Sequence, residues 1–151
     1  MATNASSAIT TLLNAAIKAV DCVIPNVFHS RKPFIANVPV QQSEFGVLIG
    51  ITGDVRGRLY ISTTHQSFAT IGKMMSGMDL DDEMLRSFAA EFTNMVAGHT
   101  VRLSEGVTMD ISPPTTLVGE TKLYGFDRAL IVPLHSEDVG TVSLALMIEG
   151  M

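Results

Sequence analysis

The sharpest chemistry in this sequence lies in Glu91 and Asn94, three residues apart within Ala90-Glu91-Phe92-Thr93-Asn94-Met95-Val96-Ala97-Gly98. The surrounding apolar spacing is helical, and on a helix the side chains at i and i+3 are neighbours. A carboxylate beside a carboxamide offers one negative charge and one group that both donates and accepts hydrogen bonds. At 100° per residue, Ser87, Glu91, Asn94 and Gly98 share one face, whereas Leu85, Phe88, Phe92, Val96 and Leu103 cluster on another. The polar stripe is expected to face solvent. Its small members, Ser87 and Gly98, would let a partner approach the helix backbone while Asn94 reaches into a concave site on that partner. Glu-x-x-Asn alone arises by chance in roughly one chain in three of this length. Its position, midway along a helix that follows an acidic start and precedes a strand, gives it weight.

Other polar groups have duller readings. His29, His65, His99 and His135 are scattered without ligand spacing. His99 falls near the apolar side of its helix, so a packed or half-buried role is expected and no metal site is. Asp79-Leu80-Asp81-Asp82-Glu83 lacks the internal Gly and distant Glu of a calcium loop, and its acids suit helix capping. Cys22 has no evident base beside it and reads as a structural thiol. Neither Ser104-Glu105 nor Ser62-Thr63-Thr64-His65 forms a nucleophile elbow.

The elements that must position Glu91 and Asn94 follow from periodicity. Ile9, Leu12, Leu13, Ala16, Ile17 and Val20 form the stripe of a first amphipathic helix, with Asn4, Ser6 or Ser7 as its cap and Pro25 as its end. After a loop through Pro33 and Pro39, Phe45 to Thr52 reads as a buried strand. Gly53-Asp54-Val55-Arg56-Gly57 supplies the positive-φ positions of a hairpin turn, and Leu59 and Ile61 lie on the returning strand. Gln66 to Ser76 forms a short helix ended by Gly77, with Phe68, Ile71, Met74 and Met75 on its packed face. The acidic run then opens the central helix, patterned by Met84, Leu85, Phe88, Phe92, Met95, Val96 and Leu103. Val107 to Ile111 and Thr115 to Val118 read as strands split at a break or edge by Pro113-Pro114. Ala129 to Leu134 and Thr141 to Ile148 form a closing hairpin, in which Val142, Leu144, Leu146 and Ile148 alternate inward.

The outline repeats: a helix, then a hairpin whose turn carries Asp-Val before Gly. A displacement of 80 sets Leu13-Asn14 beside Thr93-Asn94. Gly57 and Gly140 differ by 83, which asks for about three inserted residues between helix and hairpin. No linker or charge block divides the chain, so a single domain over residues 1–151 is expected, built from two related halves.

Composition removes several function classes. Of 151 residues, 46% are hydrophobic and 17% charged, enough for a sizeable core and too apolar for a disordered chain. A net charge of −5 is the wrong sign for capturing nucleic-acid phosphates. One cysteine cannot form an intrachain disulfide, which fits a reducing compartment and a cytoplasmic setting. No apolar run approaches the roughly 20 residues of a membrane span, so no membrane association is expected. Nine methionines make an adaptable interior, with core filling the expected use and a partner-facing use the alternative.

With these residues in view, the Ala90–Gly98 nonapeptide, the acidic approach Asp79 to Glu83 and the Gly-rich hairpin Gly46 to Ile61 resemble the CheX branch of the CheC, CheX and FliY family of response-regulator phosphatases. The resemblance implies an α+β, CheC-like fold: two long helices packed on a curved antiparallel sheet, in two pseudo-repeated halves. It implies hydrolysis of the aspartyl phosphate on a phosphorylated CheY-type response regulator. Asn94 would orient the attacking water and Glu91 would pair with a lysine of the regulator, with Ser87 and Gly98 as flanking partner-binding positions. The chain itself would need no cofactor, the magnesium belonging to the regulator. Some relatives carry the signature on both long helices. Here the first offers Thr11-x-x-Asn14 without the acid, so one site per chain is expected, with a homodimer formed through sheet edges. The rival reading is a noncatalytic regulator-binding or scaffold protein using the same helix face. Small-ligand sensing between the helices has no polar constellation behind it.

Overall fold

The computed structural model describes residues 5–42 and 44–150. Helix α1 runs over Ala5–Val23 and is followed by three short strands, β1 (His29–Ser30), β2 (Phe34–Asn37) and β3 (Val40–Gln42). The hairpin β4 (Phe45–Gly53) and β5 (Gly57–Thr63) precedes α2 (His65–Ser76) and α3 (Asp82–Leu103). The remainder comprises β6 (Met109–Ile111), β7 (Thr115–Val118), β8 (Thr121–Leu123), β9 (Arg128–Ser136) and β10 (Gly140–Ile148). Ser6 and Ser7 lie inside α1 rather than capping it, and Asn4 falls outside the described residues.

Three helices thus lie on a curled antiparallel sheet, an α+β architecture. The eight-stranded sheet has the order β1-β9-β10-β5-β4-β6, with β2 also pairing β9 and β7 also pairing β4. Strands β3 and β8 form a separate antiparallel pair. The proline-rich stretch that reads as loop therefore holds β1, β2 and β3, each too short to show a period. Pro113 and Pro114 do sit at a break, between two strands that pair successive parts of β4 at the sheet edge.

The sheet is covered on both faces. On one, α1, α2 and α3 bury Leu12, Ala16, Val20, Phe68, Ile71, Leu85, Phe92 and Val96 against Val47, Leu59, Ile61, Leu144 and Leu146. On the other, Tyr60, Ala129, Ala145 and Met147 pack with Val40 and Leu123 of the β3/β8 pair. The inward alternation of Val142, Leu144, Leu146 and Ile148 holds, and the intervening Ala145 and Met147 are buried too, because this second, smaller core covers the reverse face. The hairpin turn needs its two glycines for different reasons. Gly53 takes φ +117°, where a side chain is strained, and its neighbour Asp54 accepts the Thr108 N–H at Oδ2 (2.9 Å). Gly57 has no positive φ. A Cβ there would run into the Met147 carbonyl and lie 3.0 Å from Ile148 Cα, so glycine lets β5 and β10 approach.

The halves repeat element by element: α1 with α3, β1 and β2 with β6 and β7, β3 with β8, and the β4–β5 hairpin with β9–β10, leaving α2 as the insertion. The pairs Ile51↔Gly57 and His135↔Thr141 stand at equivalent positions, 84 residues apart, and superimpose Asp54-Val55 on Asp138-Val139. Helices α1 and α3 end 80 residues apart, at Val23 and Leu103. Four residues, rather than about three, are gained between helix and hairpin. Among the described residues no helix is long and apolar enough to cross a membrane.

Candidate functional site

Helix α3 is stopped and started by local chemistry. Asp81 is its N-cap, with Oδ1 accepting the Met84 N–H at 2.8 Å, while Asp82 and Glu83 in the first turn oppose the positive end of the helix dipole. The acidic run is therefore a cap, as its composition suggests. Among the described residues no group of three or more His, Cys, Asp or Glu side chains is placed to hold a metal ion.

Leu85, Ala89, Phe92, Thr93, Val96, Ala97 and Thr100 are buried and fix which way α3 is rotated. The Thr93 and Thr100 hydroxyls donate to the carbonyls of Ala89 (2.9 Å) and Val96 (2.7 Å), so their polar atoms are satisfied inside the helix packing. With that face inward, Ser87 and Glu91 are exposed and Asn94 and Gly98 half-buried, all on the outward stripe. The expected stripe therefore forms. Its apolar counterpart needs correction at the ends. Met84 and Leu103 are 43% and 38% exposed, since the first lies in the opening turn and the second is the last helical residue.

Neither the Glu91 nor the Asn94 side chain is engaged by a hydrogen bond or ion pair among the described residues. An uncommitted carboxylate and carboxamide, one turn apart, can meet an external cation and an external donor or acceptor at once. Gly98 gives the same message by a different route. A glycine within a helix costs about 1 kcal/mol relative to alanine. A Cβ at Gly98 would meet only Arg102 Nη1 at 3.7 Å, so nothing inside the chain requires the glycine.

The site is a ridge, and grooves lie elsewhere. One of about 940 Å³ is lined by Thr11, Asn14 and Lys18 of α1 with Arg102, Leu103 and Glu105, at the pseudo-symmetric counterpart of the Glu91 stripe. Displaced by 80, Thr11 stands where α3 has Glu91, Asn14 where it has Asn94, and Lys18 where it has Gly98. The counterpart thus keeps the amide, loses the acid and gains a cation. His99 is half-buried, with Nδ1 3.0 Å from Arg102 Nη2. Cys22 is exposed.

Two titratable groups stand out, both away from α3. Burial pushes the Tyr60 hydroxyl up to about 12, against a weaker opposing hydrogen bond to Ser62, and burial lowers Arg58. Tyr60 donates to Gln42 Oε1, and Gln42 Nε2 donates to the carbonyls of Leu117 (2.9 Å) and Gly119 (2.8 Å). This network ties the β3/β8 layer to the sheet and is structural.

A family model described as "Chemotaxis phosphatase CheX" matches residues 45–124, a span that includes Glu91 and Asn94. Among solved structures, a CheC-like superfamily protein from Shewanella sp. PV-4 is 22% identical with a TM-score of 0.78, covering 98% of this chain and 100% of that one. A CheX from Desulfovibrio desulfuricans is 20% identical, TM-score 0.78, covering 94% and 99%. The CheX–CheY–BeF3–Mg2+ complex from Borrelia burgdorferi matches at 24% identity and TM-score 0.74, covering 93% and 96%. No curated protein matches the chain.

Proposed function

From the premise that this chain belongs to the CheX family of chemotaxis phosphatases, we propose that it hydrolyses the aspartyl phosphate of a CheY-type response regulator, with Asn94 positioning the attacking water and Glu91 anchoring a lysine of the regulator. The observation that carries this reading is the unengaged Glu91/Asn94 pair on the solvent face of α3. The Borrelia relative, solved with CheY, the phosphoryl mimic BeF3 and Mg2+, supports a regulator of that kind as partner.

An acyl phosphate is already reactive, so acceleration comes from alignment more than from a strong base. Water held by the Asn94 amide attacks phosphorus in line. The bond from phosphorus to the aspartyl oxygen breaks, the carboxylate of the regulator leaves with the bonding pair, and the proton of the water goes to the departing inorganic phosphate. Glu91, paired with the regulator's lysine, fixes the register in which Asn94 meets the phosphoryl group. Magnesium belongs to the regulator's own acidic pocket and neutralises phosphoryl charge there. A ridge suits this task better than a groove, because the reacting group sits in a depression of the partner.

The two halves act as one domain in the cytoplasm, with one active face per chain. Two chains associate through a sheet edge, where β2 presents Phe34 and Ile35 at 50% and 57% exposure. Ser87 and Gly98 contribute clearance for the regulator, one on each side of the pair.

The experiment is the dephosphorylation rate of a co-encoded CheY-type regulator phosphorylated with acetyl phosphate, measured with the wild type and Asn94→Ala. The wild type should accelerate phosphate loss and the variant should lose about two orders of magnitude or more of turnover, with KM little changed. Wild-type protein that binds the phosphorylated regulator without accelerating its hydrolysis would sink the enzyme reading and leave a recognition protein.

A further inference from the structure

The methionines are not where core filling would put them. Of those among the described residues, Met109 and Met147 are buried and Met95 is half-buried, but Met74, Met75, Met78 and Met84 are 37–53% exposed. The packed face read for α2 is corrected accordingly. Ser67, Phe68, Ile71 and Gly72 are its buried residues, and Met74 and Met75 are part-exposed. Leu80 explains this. A Cβ at Gly72 would lie 2.7 Å from Leu80 Cδ1 and 3.4 Å from Phe88 Cδ2, so Leu80 and Phe88 already fill the seam between α2 and α3.

All four exposed methionines fall within residues 74–84, at the corner where α2 ends and α3 begins. Met84 shares the outward stripe of Glu91, seven residues or about 10 Å along the helix. Met84 therefore links the corner to the proposed active face. Exposed acids fringe it: Asp79, Asp81, Asp82 and Glu83, with Glu91 beyond. Lys73 is paired to Asp79 at 3.2 Å and His65 to Asp82 at 3.4 Å, and among the described residues Asp81 and Glu83 have no ion pair.

We infer that the Met74/Met75/Met78/Met84 corner is the docking platform for the phosphorylated response regulator, receiving an apolar ridge with basic margins beside the regulator's phosphorylation pocket. This rests on the function proposed above and specifies how its partner is recognised. Unbranched thioether side chains conform to an irregular apolar surface without strain. The acidic fringe complements cations at the margin of that ridge and repels acidic partners. Asn94 and Glu91 then supply chemistry and register, and the platform supplies affinity.

The test is the quadruple variant M74Q/M75Q/M78Q/M84Q, assayed on the same acetyl-phosphate-treated regulator. Glutamine keeps side-chain length and helix propensity while removing the apolar surface. KM should rise at least about tenfold with kcat within about twofold, the reverse of the Asn94→Ala pattern. The single variants M78Q and M84Q give smaller rises of the same kind, should the quadruple variant lose its fold. An unchanged KM overturns the platform while wild-type turnover leaves the phosphatase reading standing. If the wild type shows no turnover, titration of the regulator loaded with beryllium fluoride decides the platform alone: affinity must fall in the quadruple variant. Loss of self-association in that variant with KM unchanged would show that a second copy of this chain covers the corner, again overturning the proposal.

Discussion

Replacing Gln42 with leucine removes a side chain that holds three groups at once. Gln42 is 3% exposed, and its amide spans from Tyr60 on β5 to the backbone at and just beyond the end of β7. Leucine has similar bulk and no polar atoms, so the Tyr60 O–H loses its acceptor and the Leu117 and Gly119 carbonyls lose the amide that donates to them. Tyr60 is fully buried, and an O–H left without its acceptor there costs about 1–3 kcal/mol. The two carbonyls belong to half-buried residues and can recruit water, so each adds about 0.5–1 kcal/mol. Q42L should therefore destabilise by about 2–5 kcal/mol. Tyr60→Phe strands only Gln42 Oε1 and should cost about 1–3 kcal/mol. In Q42L/Y60F neither the Tyr60 O–H nor Gln42 Oε1 remains, so both stranded-group penalties vanish and the double variant should be about 2–6 kcal/mol more stable than additivity allows. Urea unfolding followed by far-UV circular dichroism measures all four proteins, with an unchanged m-value as the check on two-state behaviour. Strict additivity, or Q42L within about 0.5 kcal/mol of wild type, would show that the bonds of this network contribute nothing beyond packing.

Two further outcomes follow from the same geometry. Tyr60 ionises near 10 in the unfolded chain and about 12 when folded, chiefly because burial disfavours the phenolate. The unfolded state then binds fewer protons between these values, so the Tyr60 contribution to stability is constant below pH 10 and declines from pH 10 towards 12, by at most about 1.4 kcal/mol per pH unit. Urea midpoints across that range should show the decline in wild type and a shallower one in Y60F. At the sheet edge, Ile35→Glu places a charge on the exposed β2 strand, and sedimentation equilibrium should report a shift from dimer to monomer. A wild type that is already monomeric, or a variant that stays dimeric, would remove this edge from the assembly.

The elements legible in the sequence are those whose partners lie nearby. The β4–β5 and β9–β10 hairpins show turn glycines and apolar runs within some twenty residues, and α3 shows its acidic start and polar stripe. Glu91 and Asn94 were readable because one helix places both, and helix geometry alone orients them. Strands β1, β2, β3 and β8 were not readable, since each is two to four residues long and is held by pairing with residues about 80 to 105 positions away. The residues of β1 and β2 are also largely exposed, as Phe34 and Ile35 are, so no burial period could form there. Small residues misled in another way. Ala89, Thr93, Ala97 and Thr100 are buried where α1 and the sheet crowd α3, and apolar counting gives alanine and threonine too little weight. The methionine corner was concealed by the opposite fault, an apolar residue taken as evidence of burial when Leu80 already occupies the space.

The way the halves interleave bears on how the chain is made. Strand β10, the last in chain order, lies in the middle of the sheet between β9 and β5, and each half is flanked by strands of the other: β1 and β2 on β9, β6 and β7 on β4. During synthesis the β4–β5 hairpin must wait, with the hydrogen-bonding flank of β5 open, until β10 has left the ribosome. Chains whose contacts join such distant segments fold in milliseconds to seconds, which leaves that open flank available to other nascent chains. The early hairpin is thus the part of this protein most in need of a chaperone, and residues that keep β5 from pairing wrongly serve biogenesis as well as the native sheet.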